Sequence, residues 1–308
     1  MTRIGGTDLD VFPLCLGGNV FGWTADERTS FDVLDAFAAG GGNFVDTADS
    51  YSAFHEGNSG GESETIIGNW MAARGNRDEI VVATKVGQLP GRTGLAADNV
   101  RAACDDSLRR LQTDRIDLYY AHKDDPDTPL EETLAAFGEL IEAGKVRYIG
   151  ASNYSPERLA EALATSEREG LPRYVALQPH YNLLERDFES DQRAVCAREG
   201  LACLPFYGLA KGFLTGKYRP GGEPVDSPRA EGAAAYLDQR GERMLAALDE
   251  TAAAHEVEPA AVALAWLREQ PTVLAPIASA RNERQLSPLL ASLELDLSAD
   301  ELARLTAI

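Results

Sequence analysis

Eight times along this chain a short apolar run, rich in β-branched and aromatic residues, is followed by a longer stretch of helical period. The runs fall at residues 14–16, 43–48, 80–86, 116–122, 146–152, 175–181, 201–207 and 273–278. A helix between two strands returns the chain to the end where the first strand began, so successive strands pair in parallel, and eight is the number that closes a barrel. Helix punctuation agrees: 27–39 ends in Gly40-Gly41-Gly42, 129–143 ends at Gly144, and Ser155-Pro156-Glu157 sets a cap before a proline at the first helical position. Residues 4–11, around Gly5-Gly6 and Asp8, have the pattern of a short hairpin. The expected fold class is therefore α/β: a (β/α)8 TIM barrel with a short N-terminal β-hairpin at the barrel bottom. No linker or internal repeat divides the 308 residues, so 1–308 is expected to form a single domain, with 218–234 as a mobile loop over one face. The rival, a doubly wound nucleotide-binding sheet, lacks its G-x-G-x-x-G after any strand; Gly40-Gly41-Gly42 precedes a strand instead.

A formal net charge of −20 opposes contact with phosphate backbones or anionic lipid, so neither nucleic acid nor a membrane is expected as a partner, and a small molecule is. No window approaches 18 uninterrupted apolar residues, and no apolar stretch follows a basic N-terminus. Cys15, Cys104, Cys196 and Cys203 have no metal-type spacing and are expected to be reduced thiols in a cytoplasmic protein. His55, His122, His180 and His255 also lack ligand spacing, so no metal is expected.

Reactive groups of a parallel barrel sit where its strands end. Asp46 closes the second run, Tyr51 follows in its loop, Lys85 closes the third, and His122 closes the fourth. A carbonyl receiving hydride develops alkoxide character and needs a proton donor and groups that stabilise the growing charge. A phenol is a weak acid near neutrality, and a neighbouring ammonium favours its ionised form. In this scheme Lys85 makes Tyr51 a better acid, Asp46 holds Lys85 charged, and His122 orients the carbonyl oxygen. No side chain supplies hydride, so the scheme requires a nicotinamide. Taken singly, each residue has an ordinary structural reading: an ion pair, a packed loop tyrosine, a hydrogen-bonded histidine. Their combination carries the argument.

The stretches Asp46-Thr47-Ala48-Asp49-Ser50-Tyr51, Ala83-Thr84-Lys85-Val86-Gly87 and Tyr120-Ala121-His122-Lys123-Asp124 resemble the catalytic tetrad motifs of the aldo-keto reductase superfamily in order and spacing. The resemblance covers about residues 3–289. It implies an NADP(H)-dependent enzyme that reduces an aldehyde or ketone. Ser152 and Asn153, and then Gln178, match the residues that hold the nicotinamide carboxamide. Gly18 and Asn19, after the first strand, join the expected cofactor set. The stretch 206–217 resembles the loop that cradles the pyrophosphate, implicating Leu209, Lys211 and Gly212. There Phe206 stands where a tyrosine usually stacks on nicotinamide, and Tyr207-Gly208 replace a Ser-Pro pair. Lys217 is either a phosphate ligand or a surface lysine. After the eighth run, Ser279 and Arg281 match the grip on the adenosine 2′-phosphate, and Gln285 an adenine-side position, although Pro288-Leu289 replace the usual Glu-Asn pair.

Phe21, Trp23, Phe54 and His55, near the ends of the first two strands, are expected to line the carbonyl substrate's pocket. Two other classes of function stand beside the reductase. One is an NADP(H)-binding sensory or regulatory barrel with little turnover, like the potassium-channel β-subunits of the superfamily. The other is a lyase using Lys85 as a Schiff-base nucleophile, which requires a neutral lysine. Substrate, physiological direction and oligomeric state stay open at this stage.

Overall fold

The computed structural model describes residues 1–308. Its strands, in chain order, are β1 (Thr2–Arg3), β2 (Asp10–Val11), β3 (Cys15–Gly17), β4 (Phe44–Asp46), β5 (Val81–Val86), β6 (Gln88–Leu89), β7 (Arg92–Thr93), β8 (Ile116–Ala121), β9 (Val146–Ser152), β10 (Tyr174–Gln178), β11 (Ala202–Cys203) and β12 (Ile277–Ala278). Eight of them form one parallel sheet in the order β11-β10-β9-β8-β5-β4-β3-β12. The ends of that sheet meet: Cys203 N–H donates to the carbonyl of Thr272 at 3.0 Å, and Leu274 N–H donates to that of Cys203 at 2.9 Å. The expected barrel is thus closed, and β1 and β2 form the N-terminal antiparallel hairpin.

Six strands are shorter than the apolar runs that announce them, three of them beside prolines. Pro179, Pro205 and Pro276 have no N–H to give the ladder, so regular pairing lapses beside them while single bonds persist, such as Ile277 N–H to the Pro205 carbonyl at 2.9 Å.

Helices α1 (Glu27–Ala39), α2 (Glu62–Arg74), α3 (Ala97–Leu111), α4 (Leu130–Glu142), α5 (Pro156–Glu169), α6 (Asp191–Glu199), α7 (Ala230–Ala234), α8 (Gln239–Ala254), α9 (Pro259–Arg268), α10 (Glu283–Ala291) and α11 (Ala299–Thr306) complete the chain. Asp26 and Ser155 cap α1 and α5 by accepting the N–H of Thr29 and Arg158. The segment expected to be all loop, 218–234, contains α7, whose alanines are strong helix formers.

Strand side chains alternate between two cores. Val45, Val82, Tyr119, Ala121, Ile149 and Leu177 point outward into the larger core beneath the helices. Phe44, Ala83, Leu118, Tyr120, Ala176, Leu204 and Ile277 fill the barrel, floored by Ile4, Leu9 and Val11 of the hairpin region. Gly150 makes room inside: a Cβ there would lie 2.4 Å from the Tyr120 ring. The hairpin is pinned by Asp8, which accepts from Arg147 at 2.8 Å and from Tyr148 at 2.9 Å. Arg147 and Arg77 in turn share the buried carboxylate of Asp117. All four cysteines are buried free thiols, Cys15 and Cys203 on strands and Cys104 and Cys196 on helices. No helix is long and apolar enough to cross a membrane.

Candidate active site

The barrel's inward register, carried two residues further along each strand, delivers the site. Phe44 leads to Asp46, Ala83 to Lys85, Tyr120 to His122, Gly150 to Ser152, Ala176 to Gln178, Leu204 to Phe206 and Ile277 to Ser279. With Tyr51 from the loop after β4, these side chains meet at one end of the barrel.

At its centre is the Lys85 ammonium, fully buried. Its Nζ donates to Asp46 Oδ2 at 2.6 Å, to the Thr47 carbonyl at 2.7 Å and to the Tyr51 hydroxyl at 2.7 Å. All three donors of the ammonium are therefore used. Asp46 Oδ1 accepts from Gln178 Nε2 at 2.9 Å, and the Tyr51 hydroxyl lies 3.3 Å from Asp46 Oδ2. His122 stands edge-on to the Tyr51 ring at 6.0 Å, with Nδ1 3.5 Å from Ser50 Oγ.

Burial depresses the Lys85 pKa, and the Asp46 charge opposes that loss. Tyr51 differs from expectation. Burial, followed by the Asp46 charge, pushes its phenol well above the ordinary value despite the Lys85 contact, so the group is a protonated donor rather than a pre-acidified one. Burial, followed by the Lys85 charge, holds His122 well below its ordinary value and so neutral. A neutral imidazole keeps one N–H to give.

The tetrad opens into a cleft of about 450 Å³. Ser152, Asn153 and Gln178 form its inner wall. Ser152 Oγ donates to the Gln178 carbonyl at 2.9 Å, and Asn153 Nδ2 to the His122 carbonyl at 2.9 Å. Phe206 lies on one side, stacked with His180 at 5.3 Å. Leu209, Lys211, Gly212 and Lys217 belong to a tight turn in which Tyr207, Ala210, Lys211 and Gly212 have positive φ; three of these are not glycine, a costly conformation of the kind found at ligand sites. Across the cleft, Ser279 Oγ donates to Asn19 Oδ1 at 2.7 Å, and Arg281 precedes α10 while its N–H donates to Gln285 Oε1 at 3.0 Å.

Lys85 is buried behind the cleft rather than lining it, and four residues expected to touch cofactor or substrate do not line it either. Gly18 lies behind it, where a Cβ would come 2.7 Å from Ser63 Oγ, so its smallness serves packing. Phe21 is wholly buried in the core. Phe54 is exposed outside it, edge-on to Trp23 at 4.7 Å, and His55 is exposed beside it. Trp23 does line the cleft.

Sequence reasoning missed Arg229. Its guanidinium lies 5.5 Å from the Trp23 ring centre, and burial, which lowers its pKa, is opposed by Tyr207 and Tyr51. An arginine set between Pro228 and Ala230 in a Gly- and Pro-rich loop is the only signal in the sequence. Arg284 was missed too, although it lines the cleft. Arg229, Arg281, Arg284, Lys211 and Lys217 thus crowd one region without a carboxylate partner, whereas Arg158, Arg219 and Arg304 sit on acids. Lys217 is lowered by burial and then by Arg281 and Arg229, the mark of unneutralised neighbouring cations. Only Asp46 and Glu258 bring carboxylates to the cleft.

The sequence matches the Aldo/keto reductase family over residues 13–308. This chain belongs to that family. Among relatives of this aldo/keto reductase, Protein tas of Escherichia coli is 34% identical over 99% of this chain and 96% of its own. Norsolorinic acid reductase A of Aspergillus parasiticus is 32% identical over 95% of this chain and 76% of its own. The aryl-alcohol dehydrogenase GME11368 of Pestalotiopsis microspora is 32% identical over 94% and 77%. Membership makes the chain an oxidoreductase acting on carbonyl groups, in a family that generally uses NAD(P)H.

If burial and Lys85 keep His122 neutral, its ring carbons show no protonation step by NMR between about pH 6 and 8, where an ordinary histidine titrates. A step near 6.5 would contradict that assignment.

Proposed function

We propose that this aldo/keto reductase is an NADP(H)-dependent carbonyl reductase in which Tyr51 gives the proton and Lys85, Asp46 and His122 support it. The observation that carries the reading is the Lys85-centred cluster opening on a cleft of unpaired cations in a chain of net charge −20. Of these, Arg281 and Arg284 stand at the start of α10, where charge and the helix N-terminus together suit a phosphorylated ligand.

In this reading Arg281 holds the 2′-phosphate, aided by Arg284, while Lys211, Gly212 and Lys217 hold the pyrophosphate with Leu209 against the cofactor. Arg229 reaches over the same region from the loop before α7. Gln285, occupied by the Arg281 N–H, shapes the adenine end, and Asn19 and Ser279 shape the ribose side. Phe206 offers an aromatic face to the nicotinamide ring. Ser152, Asn153 and Gln178 hold its carboxamide. Gln178 uses its Oε1, since its Nε2 is given to Asp46. When bound, the cofactor supplies hydride.

The protein's own groups supply the rest. His122, neutral, donates to the substrate oxygen and fixes its direction. Tyr51 transfers its proton to that oxygen as negative charge grows there, and the adjacent Lys85 ammonium stabilises the phenolate left behind. Asp46 offsets the cost of keeping that ammonium away from water. Trp23 and Tyr207 on the cleft wall suit an aromatic carbonyl compound.

Tyr51→Phe is expected to cut NADPH-dependent carbonyl reduction about 100-fold to 10,000-fold, with NADPH affinity by fluorescence titration nearly unchanged. Full turnover in the variant would remove the proton-donor role. Arg281→Ala is expected to weaken NADPH about 10- to 100-fold, as befits a charged hydrogen bond, and NADH far less. Equal losses for both cofactors would overturn the phosphate assignment.

A further inference from the structure

His180 stands two residues beyond Gln178 along the same direction of the barrel, and the chemistry above leaves it unused. It faces Phe206 across neighbouring strand ends. The two residues pair in parallel, and Phe206 N–H donates to the Pro179 carbonyl at 2.9 Å. Their rings are near-parallel, 16° apart with centres 5.3 Å from one another. Tyr207 closes the group edge-on, 5.4 Å from His180 and 5.2 Å from Phe206, and its carbonyl accepts from Asn182 Nδ2 at 2.9 Å. Phe206 and Tyr207 line the cleft and His180 does not, so the imidazole supports the Phe206 ring from outside the ligand space.

His180 Nε2 is buried without a hydrogen-bond partner, so on that side the ring is held by packing alone. Burial is the main influence on its titration and lowers its pKa. Glu185, in the loop after β10, opposes that shift while accepting from the Tyr236 hydroxyl at 2.8 Å. Lys211, in the turn after β11 and 5.9 Å from the Tyr207 ring centre, adds to it. Asp187, in the short turn Asp187–Glu189, opposes it again. The net direction is downward, so the ring is neutral at pH 7 and takes up a proton only in more acidic solution.

We propose that His180 is a positioning residue that backs Phe206 and sets the site's preference between NADPH and NADP+. The inference rests on the reading of Phe206 as the nicotinamide platform. An oxidised nicotinamide carries a positive charge, which an aromatic face attracts, whereas a reduced one is neutral. A neutral imidazole against Phe206 leaves that attraction intact. An imidazolium in the same place repels the oxidised ring and leaves the reduced one largely unaffected. NADP+ is therefore held less tightly as pH falls through the His180 titration, while NADPH is not.

The test is the ratio of Kd for NADP+ to Kd for NADPH, measured by calorimetric titration across a pH series in the wild type, His180→Phe and Phe206→Ala. The 2′-phosphate belongs to both cofactors, so its own titration cancels in the ratio. In the wild type the ratio is expected to rise about three- to ten-fold between about pH 8 and 5.5, the scale of two partly screened charges several ångströms apart. His180→Phe keeps a ring against Phe206 but cannot titrate, and its ratio is expected to stay constant. Should that variant fail to fold, His180→Tyr is read in the same way. A ratio that does not move in the wild type, or that moves equally in the variant, would overturn the proposal. Phe206→Ala separates the two readings: if it weakens both cofactors while His180→Phe keeps the wild-type pH dependence, only the His180 role falls; if it weakens neither, the nicotinamide platform falls as well.

Discussion

One buried ammonium organises the mouth of this barrel. Lys85 has no contact with water, and such a charge is tolerated only when its donors are filled and an opposite charge lies close. Asp46, the Thr47 carbonyl and Tyr51 fill those three places. Removing any partner would leave a buried charge or donor uncompensated, so the arrangement that suits proton transfer is also one the fold cannot readily relax.

The barrel supplies this cluster through side-chain alternation. Interior packing and site chemistry occupy the same inward register, with apolar side chains below and polar ones at the strand ends. Gly150 shows how close the two requirements run. It leaves room for the Tyr120 ring inside the barrel, and its strand then presents Ser152 to the cleft.

Much of this was legible in the sequence because it depends on local periodicity. Eight apolar runs, the helix caps and the strand-end positions of Asp46, Lys85 and His122 follow from spacing alone. Strand lengths near Pro179, Pro205 and Pro276 did not, since an apolar run does not reveal where hydrogen bonding lapses. Phe21 and Phe54 both stand near aromatic residues in loops after strand ends, yet one is buried and the other exposed outside the cleft, a distinction that rests on contacts distant in sequence. The Tyr51 phenol was read from its ammonium neighbour alone. Burial and Asp46 outweigh that neighbour, and neither magnitude is visible without coordinates. Arg229 was hidden because its partners, Trp23 and Tyr207, are distant in sequence.

The charge distribution joins these observations. An acidic chain keeps a group of basic side chains without ion-pair partners in one cleft, next to a buried cluster whose lysine is already paired with Asp46. The central claim is that this cleft and cluster serve hydride transfer to a carbonyl. The most direct measurement incubates the purified protein with NADPH deuterated at the transferable C4 position and a panel of aromatic aldehydes and ketones, then examines the products by mass spectrometry. The account predicts alcohol product carrying one deuterium on the former carbonyl carbon. Alcohol formed without deuterium from either C4 face, or no alcohol while bound NADPH is confirmed by fluorescence, would contradict it.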